Sequence, residues 1–317
     1  MARSSKKRVQ LHTQHNRTIG FHAKTLFLFT RSDLKTVVFP QAVFALAIAM
    51  SKARFTDYLK PPQLDIGNAA LRLGLMFIWI FLHLLLGDIS NQRLLGSVLE
   101  DKINKPWRPM PSGRLTENEA KSLLKAVVLA AIGFSLLFNS SMPSFTLITM
   151  FWLYNDLEGN AAGPWQRNAF NAAGLTCFSW GAVTVLLGDQ INEESDKIIR
   201  KWYFLMAVVI TTTIHAQDFP DVVGDKARGR RTLPLIYGES LSRWSMAVFV
   251  TFWSFACPAF WNITAWDIRF LYVCFGLAIS LLTTLQCGEQ CDKWVWRLWC
   301  LWAATLYLLP LFSPVVL

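Results

Sequence analysis

The chain has 317 residues, of which 53% are hydrophobic, 14% are aromatic and only 16% are charged. This composition excludes an intrinsically disordered chain, which has too few apolar residues to form a core, and it excludes most classes of soluble protein. Six cysteines in a chain of this length exclude a small scaffold held together by disulfides. The composition is typical of an integral membrane protein.

Apolar runs that could enter a lipid bilayer recur along the whole chain. A helix needs about 20 mostly apolar residues to cross the hydrocarbon core. The runs predicted as membrane spans are residues 36–50, 69–87, 122–138, 143–154, 169–187, 202–217, 243–260, 268–286 and 297–313. The first and the fourth are short, so a bundle of eight helices is the alternative. The predicted fold class is all-α, a polytopic membrane bundle of about nine transmembrane helices.

The distribution of charge predicts the topology. The chain has 31 Lys and Arg residues against 21 Asp and Glu residues, a net charge of +10. Basic residues collect in loops that stay in the cytoplasm, and with the N-terminus inside most of them fall on that face. We interpret residues 1–35 as a basic cytoplasmic arm attracted to anionic lipid, with a mitochondrial import segment as the alternative. Residues 36–317 would form the transmembrane domain.

Polar residues concentrate in the segment 215–239. Asp218, Asp221 and Asp225 follow one another at spacings of three and four residues, which would place them on one face of a helix. Such a row of like charges requires a cation, and Mg²⁺ is typically held by one or two carboxylates, waters and the phosphate oxygens of a substrate. Four cations follow and would neutralise the remaining phosphate charge. They are Lys226, Arg228, Arg230 and Arg231.

A second polar segment covers residues 88–116. It ends in a turn with three prolines between residues 106 and 111, and proline fixes the backbone. Lys105 and Arg108 are therefore held in a rigid turn, where cations can recognise a diphosphate at little cost in entropy. Each polar segment follows an even-numbered apolar run, so both would face the cytoplasm and could converge on one ligand.

These residues resemble the UbiA superfamily of intramembrane prenyltransferases. Two motifs carry the resemblance: Asp101-Lys-Ile-Asn-Lys-Pro-Trp-Arg-Pro and Asp218-x-x-Asp221-x-x-x-Asp225-Lys226. The resemblance implies that two acidic cytoplasmic motifs cap a central cavity, bind Mg²⁺ and hold an isoprenoid diphosphate. It further implies that the isoprenoid tail lies in the cavity, among the helices.

The first motif departs from the pattern of the family, N-D-x-x-D-x-x-x-D. Arg93 and Leu94 stand where the family has Asn-Asp, and Ser97 stands at the middle Asp. Asn91 and Glu100 are therefore additional candidates for coordination of the metal.

The altered first motif is similar to that of a fungal branch that includes membrane-bound sesquiterpene cyclases. This resemblance implies an enzyme of terpenoid secondary metabolism that ionises farnesyl diphosphate and cyclises the carbocation to a C15 hydrocarbon. It also implies location in the endoplasmic reticulum, with the mitochondrial inner membrane as the alternative. The alternative function is a prenyltransferase that passes an isoprenoid chain to an aromatic or other acceptor. The apolar runs are almost free of charge, which disfavours a transporter, and we predict no nucleic acid and no obligate protein partner.

The resemblance and the spacing together give each candidate residue a role. The predicted metal ligands are Asp101, Asp218, Asp221, Asp225, Glu100 and Asn91, of which the four aspartates are also the predicted catalytic residues. The predicted diphosphate-binding residues are Lys105, Arg108, Lys226, Arg230 and Arg167. His83 and His215 are candidates for the base that ends the reaction. The segment 155–171 is either part of the cavity mouth or an ordinary connector.

Overall fold

The structure is a computed structural model that describes residues 17–56, 66–188, 191, 193–286 and 288–314. These residues form helices and turns without β-strands, which confirms the predicted all-α class. The first helices are α1 (Ile19–Thr30), α2 (Phe39–Thr56), α3 (Ile66–Gln92), α4 (Leu95–Asn104), α5 (Glu117–Leu137) and α6 (Ser141–Phe151). The others are α7 (Pro164–Leu187), α8 (Glu193–Thr213), α9 (Val222–Arg228), α10 (Leu233–Tyr237), α11 (Glu239–Phe260), α12 (Trp266–Thr284) and α13 (Glu289–Leu306).

Five helical segments of the described chain are long and apolar enough to cross a membrane. They are Leu34–Ser51, Gly67–Gln92, Glu117–Leu137, Pro164–Leu187 and Trp266–Thr284. Each contains or overlaps one of the predicted runs. Helix α6 overlaps another predicted run and continues into a π-helical turn, Trp152–Asp156. The 11 and 5 residues together make 16, about 24 Å at 1.5 Å per residue against a hydrocarbon core of about 30 Å. The count of nine spans therefore stays a prediction.

Helix α7 packs against α2, α3, α6 and α8 and so connects much of the bundle. It begins at Pro164, whose fixed φ suits the first turn of a helix. Gly181 permits close packing on α3, because a Cβ at this position would lie 1.9 Å from the ring of Trp79. The buried Trp79 indole donates a hydrogen bond to Ser144 Oγ at 2.9 Å, which ties α6 to α3.

Helix α1 lies within the segment predicted as a basic arm, of which residues 1–16 lie outside the described residues. Phe29 is fully buried and packs in one cluster with Leu85 and Ile89 of α3. Gln92 Nε2 donates a hydrogen bond to the Phe29 carbonyl at 2.8 Å. The described part of the arm is thus packed against the bundle through an apolar face, and it brings the turn after α1 to the end of α3.

The acidic segment is not one continuous helix. Helix α8 ends at Thr213, and α9 begins only at Val222. Pro220, which lies between them, has no N–H group to donate, and its ring clashes with the preceding turn of a helix. The prediction that the three aspartates of this segment share one helix face is therefore wrong. A 3₁₀ turn, a second turn and the short helix α9 hold them instead.

Candidate active site

A cavity with a volume of about 240 Å³ lies among the helices, and its lining is partly apolar and partly charged. The apolar side chains include Leu84, Phe151, Phe170, Phe178 and Trp296. The cations that line the cavity are Lys105, Arg108, Arg167 and Arg230. Such a lining suits an amphipathic ligand with an anionic head and a hydrocarbon tail.

The change from charged to apolar lining follows two helices. On α3, Asn91 lies at the helix end and Leu84 two turns before it. On α7, Arg167 lies in the first turn and Phe178 three turns further on. At 1.5 Å per residue these stretches are about 10 Å and about 16 Å long. The cavity therefore has a polar end at the helix termini and an apolar end within the bundle.

The structure brings the two polar segments into direct contact at the polar end. Lys105 Nζ lies 3.2 Å from Asp221 Oδ2. Glu100 accepts hydrogen bonds from Arg228 and from Arg230, each at 2.9 Å. These ion pairs join α4 and the turn after it to α9 and to the residues on either side of that helix.

The close approach of α9 to α4 requires a glycine at position 224. A Cβ there would lie 2.2 Å from Asn104 Nδ2, so any larger residue would displace that side chain. Asn104 Nδ2 also donates a hydrogen bond to the backbone carbonyl of Asp221 at 3.3 Å. The asparagine of the first motif thus positions the backbone of the second.

Buried acids lie behind the arginines that line the cavity. Arg167 Nη1 donates to Asp218 Oδ1 at 2.7 Å, and Arg108 Nη1 donates to Asp101 Oδ1 at 2.9 Å. Both aspartates are 1% exposed. These ion pairs fix the guanidinium groups before a ligand binds.

Each of the three lining arginines has one buried N–H group without a partner. The buried Nε atoms of Arg108, Arg167 and Arg230 have no hydrogen-bond partner. A buried N–H group without a partner is costly, and the oxygens of a bound phosphate would satisfy it. The polar end is therefore suited to an anion with several oxygens.

Burial and ion pairing shift the pKa values of the buried carboxyl groups in opposite directions. Burial raises the pKa of Asp218, and the neighbouring charge of Arg167 offsets this only in part. Burial raises the pKa of Asp225 to about 6, against the charges of Arg167 and Arg230. A cation bound at these carboxyls would favour their ionised form.

The acidic residues fit Mg²⁺ in part. Asp218 Oδ2 and Asp225 Oδ2 are buried and have no hydrogen-bond partner, and a divalent cation would satisfy both oxygens. Within the described residues, no three His, Cys, Asp or Glu side chains already form a group that could hold a metal. The rest of the coordination shell would therefore come from water and from the phosphate oxygens of the substrate.

Three predicted metal ligands, Asp101, Asp218 and Asp225, do not line the cavity. Both carboxylate oxygens of Asp101 accept hydrogen bonds from Arg108, so Asp101 holds that arginine and has no free oxygen for a metal.

Three other predicted site residues also differ from their expected roles. Lys226 is exposed and does not line the cavity. Glu100 lines the cavity, but both its carboxylate oxygens already accept hydrogen bonds from arginines. Asn91 also lines the cavity and donates a hydrogen bond to Asn155 Oδ1 at 2.9 Å. The chain bends between α3 and α4, so Asn91 and the acids of α4 lie on different helices.

The two histidines considered as bases do not line the cavity. His83 is fully buried and stacks on Trp79 at 4.2 Å between ring centroids. His215 is also fully buried, and its Nε2 lies 3.0 Å from the Ser242 carbonyl. Both side chains pack within the protein and not against a ligand in the cavity.

The sequence prediction missed several residues that line the cavity. Asp33 reaches it from the turn after α1, and Asp88 reaches it from α3. Asp88 lies one turn before Asn91, a spacing that could have drawn attention to it, whereas Asp33 is an isolated acid in a basic segment. Asn155 and Asn171 also line the cavity, so the segment 155–171 contributes to the site and is not a plain connector.

The Mg²⁺ concentration needed for half-maximal activity is expected to rise as the pH falls through about 6. Protons and metal ions compete for the same carboxylate, and the pKa of Asp225 is raised to about 6. Above that pH the carboxyl is ionised and free to bind a cation. Initial rates in Mg²⁺ titrations from about pH 5 to about pH 8 would measure the effect. An Asp225→Asn variant should lose this dependence, and a constant requirement in the unchanged protein would contradict the assignment.

Two curated proteins illustrate what the chain is similar to. Fumagillin beta-trans-bergamotene synthase from Aspergillus fumigatus is 31% identical over 290 residues, which cover 91% of this chain and 92% of that protein. A polyprenyl transferase from Hericium erinaceus is 28% identical over 229 residues, which cover 68% of this chain and 69% of that protein. The predicted similarity to fungal membrane-bound cyclases is thereby confirmed.

Solved structures share the fold. The structure of a UbiA homolog from Archaeoglobus fulgidus bound to GPP and Mg²⁺ superposes with a TM-score of 0.60 at 12% identity, covering 89% of this chain and 99% of that one. The model of the UbiA prenyltransferase family matches residues 42–302. The match extends over most of the chain and includes both motifs. The protein is therefore a membrane-embedded member of the UbiA prenyltransferase family.

Proposed function

We propose that the protein is a membrane-bound, Mg²⁺-dependent sesquiterpene cyclase that converts farnesyl diphosphate to a cyclic C15 hydrocarbon. The observation that carries this proposal is the cavity, with four cations at its polar end and aliphatic and aromatic side chains beyond them. The diphosphate would pair with the cations, and the isoprenoid tail would lie along the apolar end. We expect the enzyme in the endoplasmic reticulum, as its resemblance to fungal cyclases implies.

Ionisation of the substrate breaks an allylic carbon–oxygen bond and leaves negative charge on the diphosphate. Arg108 and Arg167 can donate to this leaving group, and their aspartate partners hold them in place, so little reorganisation is needed. Mg²⁺, when bound, supplies further charge to stabilise the leaving group. Asp218 and Asp225 would hold the metal through their unpaired oxygens.

The carbocation must then be shielded from water while it cyclises. Phe151, Phe170 and Phe178 line the cavity, and the faces of aromatic rings attract positive charge. The ring of Phe178 lies 6.3 Å from that of Phe151 and 6.1 Å from that of Trp79, between centroids. These contacts support an aromatic wall with a defined shape.

The comparisons with known proteins favour a cyclase over a transferase. The similarity to the bergamotene synthase covers 91% of this chain, against 68% for the polyprenyl transferase. A transferase is the alternative, because it would use the same cations and metal ligands.

Membranes that contain the protein are expected to release a cyclic C15 hydrocarbon from farnesyl diphosphate and Mg²⁺ without any acceptor. Gas chromatography with mass spectrometry would detect it. The product should be absent without Mg²⁺ and from an Asp218→Asn variant. The matched control is Asp267→Asn, at an exposed position in the first turn of α12, and it should retain the product. Product that forms only with an aromatic acceptor would contradict the cyclase and indicate a transferase.

A further inference from the structure

We propose that Asp88 is the general base that ends the reaction by accepting a proton from the final carbocation. This inference rests on the proposed cyclase function. The cation C15H25⁺ becomes a neutral hydrocarbon C15H24 only by loss of a proton. One C–H bond breaks, its electron pair forms a carbon–carbon double bond, and the proton passes to a carboxylate oxygen of Asp88.

Asp88 lies where the lining of the cavity changes from apolar to polar. Leu84 and Gly87 precede it and Asn91 follows it, at spacings that place all four on one side of α3. Leu84 belongs to the apolar end and Asn91 to the polar end. The carboxyl group is therefore adjacent to the region where the hydrocarbon would lie, about one turn from the helix end.

Asp88 differs from the other carboxyls that line the cavity. Asp221 is paired with Lys105, and Glu100 is paired with two arginines. Asp33 accepts a hydrogen bond from the hydroxyl of the preceding serine. Of the carboxyls that line the cavity in the described chain, only Asp88 has a buried oxygen without a hydrogen-bond partner, Oδ2. In the described chain Asp88 is therefore not held by a cation, as Asp221 and Glu100 are.

The neighbours of Asp88 provide a route for the proton to leave. Asp33 lies within hydrogen-bonding reach of Asp88, so the two carboxyls share a proton, and Gln92 and Arg108 are the other polar neighbours. Arg108 Nη2 lies 3.6 Å from Asp33 Oδ2, and the Asp33 side chain is 33% exposed. When one oxygen of Asp88 takes the proton of the cation, the shared proton passes from Asp88 to Asp33 and then to water at the polar end, which restores the pair for the next turnover.

The substitution Asp88→Asn tests this role because it keeps the shape of the side chain and removes the proton acceptor. Diphosphate release from farnesyl diphosphate should continue at a rate close to that of the unchanged enzyme. The normal hydrocarbon should fall by about 100-fold or more, the usual size of a general-base contribution. In its place we expect C15 alcohols that carry ¹⁸O from labelled water, or isomers formed by proton loss at another carbon.

Several variants separate this role from a structural one. Asp88→Glu keeps a carboxyl group and should therefore form part of the normal hydrocarbon. If Asp88→Asn is not recovered in membranes, Asp88→Ser serves as the variant without a carboxyl group. Asp267→Asn should leave the product pattern unchanged. An unchanged product pattern in Asp88→Asn would overturn the proposal. So would a parallel loss of diphosphate release, because Asp88 would then act on binding or ionisation.

The inference and the proposed function fail in different ways. If the unchanged protein makes no hydrocarbon at all and requires an acceptor, the cyclase function is wrong. If the unchanged protein makes the hydrocarbon and Asp88→Asn makes the same product at the same rate, only the assignment of the base is wrong.

Discussion

Replacement of Arg167 by methionine is expected to lower the rate of diphosphate release by about 10²- to 10³-fold. Removal of one pre-positioned donor to a developing negative charge commonly has an effect of this size. The guanidinium lines the cavity, is held by Asp218 at 2.7 Å, and keeps a buried Nε–H without a partner. The rate would be measured in membranes that contain equal amounts of each variant. Arg200→Met is the matched control, because Arg200 is 72% exposed and pairs with Asp196 on its own helix.

A second variant separates loss of the donor from loss of the ion pair. Arg167→Met leaves Asp218 buried and unpaired, which is itself strongly destabilising. Arg167→Lys keeps a cation beside Asp218, so thermal stability in detergent should recover, whereas diphosphate release should stay slow because lysine lacks the planar fork of donors. Recovery of the rate together with the stability would show that Arg167 acts only through the fold. A near-normal rate in the single variant would contradict its role in binding the diphosphate.

Replacement of Glu100 by glutamine is expected to lower the free energy of unfolding by about 3–5 kcal/mol, the usual cost of removing one partner from a buried ion pair. Burial opposes the ionisation of Glu100, but the charges of Arg230 and Arg228 outweigh it and lower the pKa of the carboxyl. Glutamine would leave those two arginines without their shared anion. Thermal unfolding in detergent micelles would measure the change.

The control for Glu100 is an exposed pair of the same kind. Glu117→Gln removes the partner of Lys121, and both side chains are about half exposed, so stability should hardly change. Equal effects of the two substitutions would contradict the account of the buried pair. Activity at a saturating Mg²⁺ concentration should fall more in Asp218→Asn than in Glu100→Gln. The opposite order would show that Glu100 is a metal ligand, as the sequence analysis predicted.

Features that depend on local sequence were predictable. The apolar runs are long enough to predict helices without knowledge of their neighbours. The prolines between residues 106 and 111 fix the turn that holds Lys105 and Arg108, and both of these cations line the cavity. The position of Arg167 at the start of the fifth apolar run indicates a further donor at the same face, and this side chain also lines the cavity.

Features that depend on packing between distant segments were not predictable. Asp33 and Asp88 meet because the apolar face of α1 packs on α3, and no local pattern near residue 33 indicates that contact. Packing geometry also explains why Arg230 lines the cavity and Lys226 does not. Gly229 adopts a left-handed conformation with φ of 75° at the end of α9. The chain turns back there, and the N–H of Arg230 bonds to the Asp225 carbonyl at 2.9 Å, whereas Lys226 stays on the exposed face.

The most direct test of the central claim is a structure of the protein with Mg²⁺ and farnesyl thiodiphosphate, whose sulfur replaces the bridging oxygen and slows ionisation. We expect the diphosphate within hydrogen-bonding distance of Arg108, Arg167 and Arg230, with the farnesyl chain against Phe178. A diphosphate bound away from these arginines, or a farnesyl chain that lies outside the cavity among the lipids, would contradict the account.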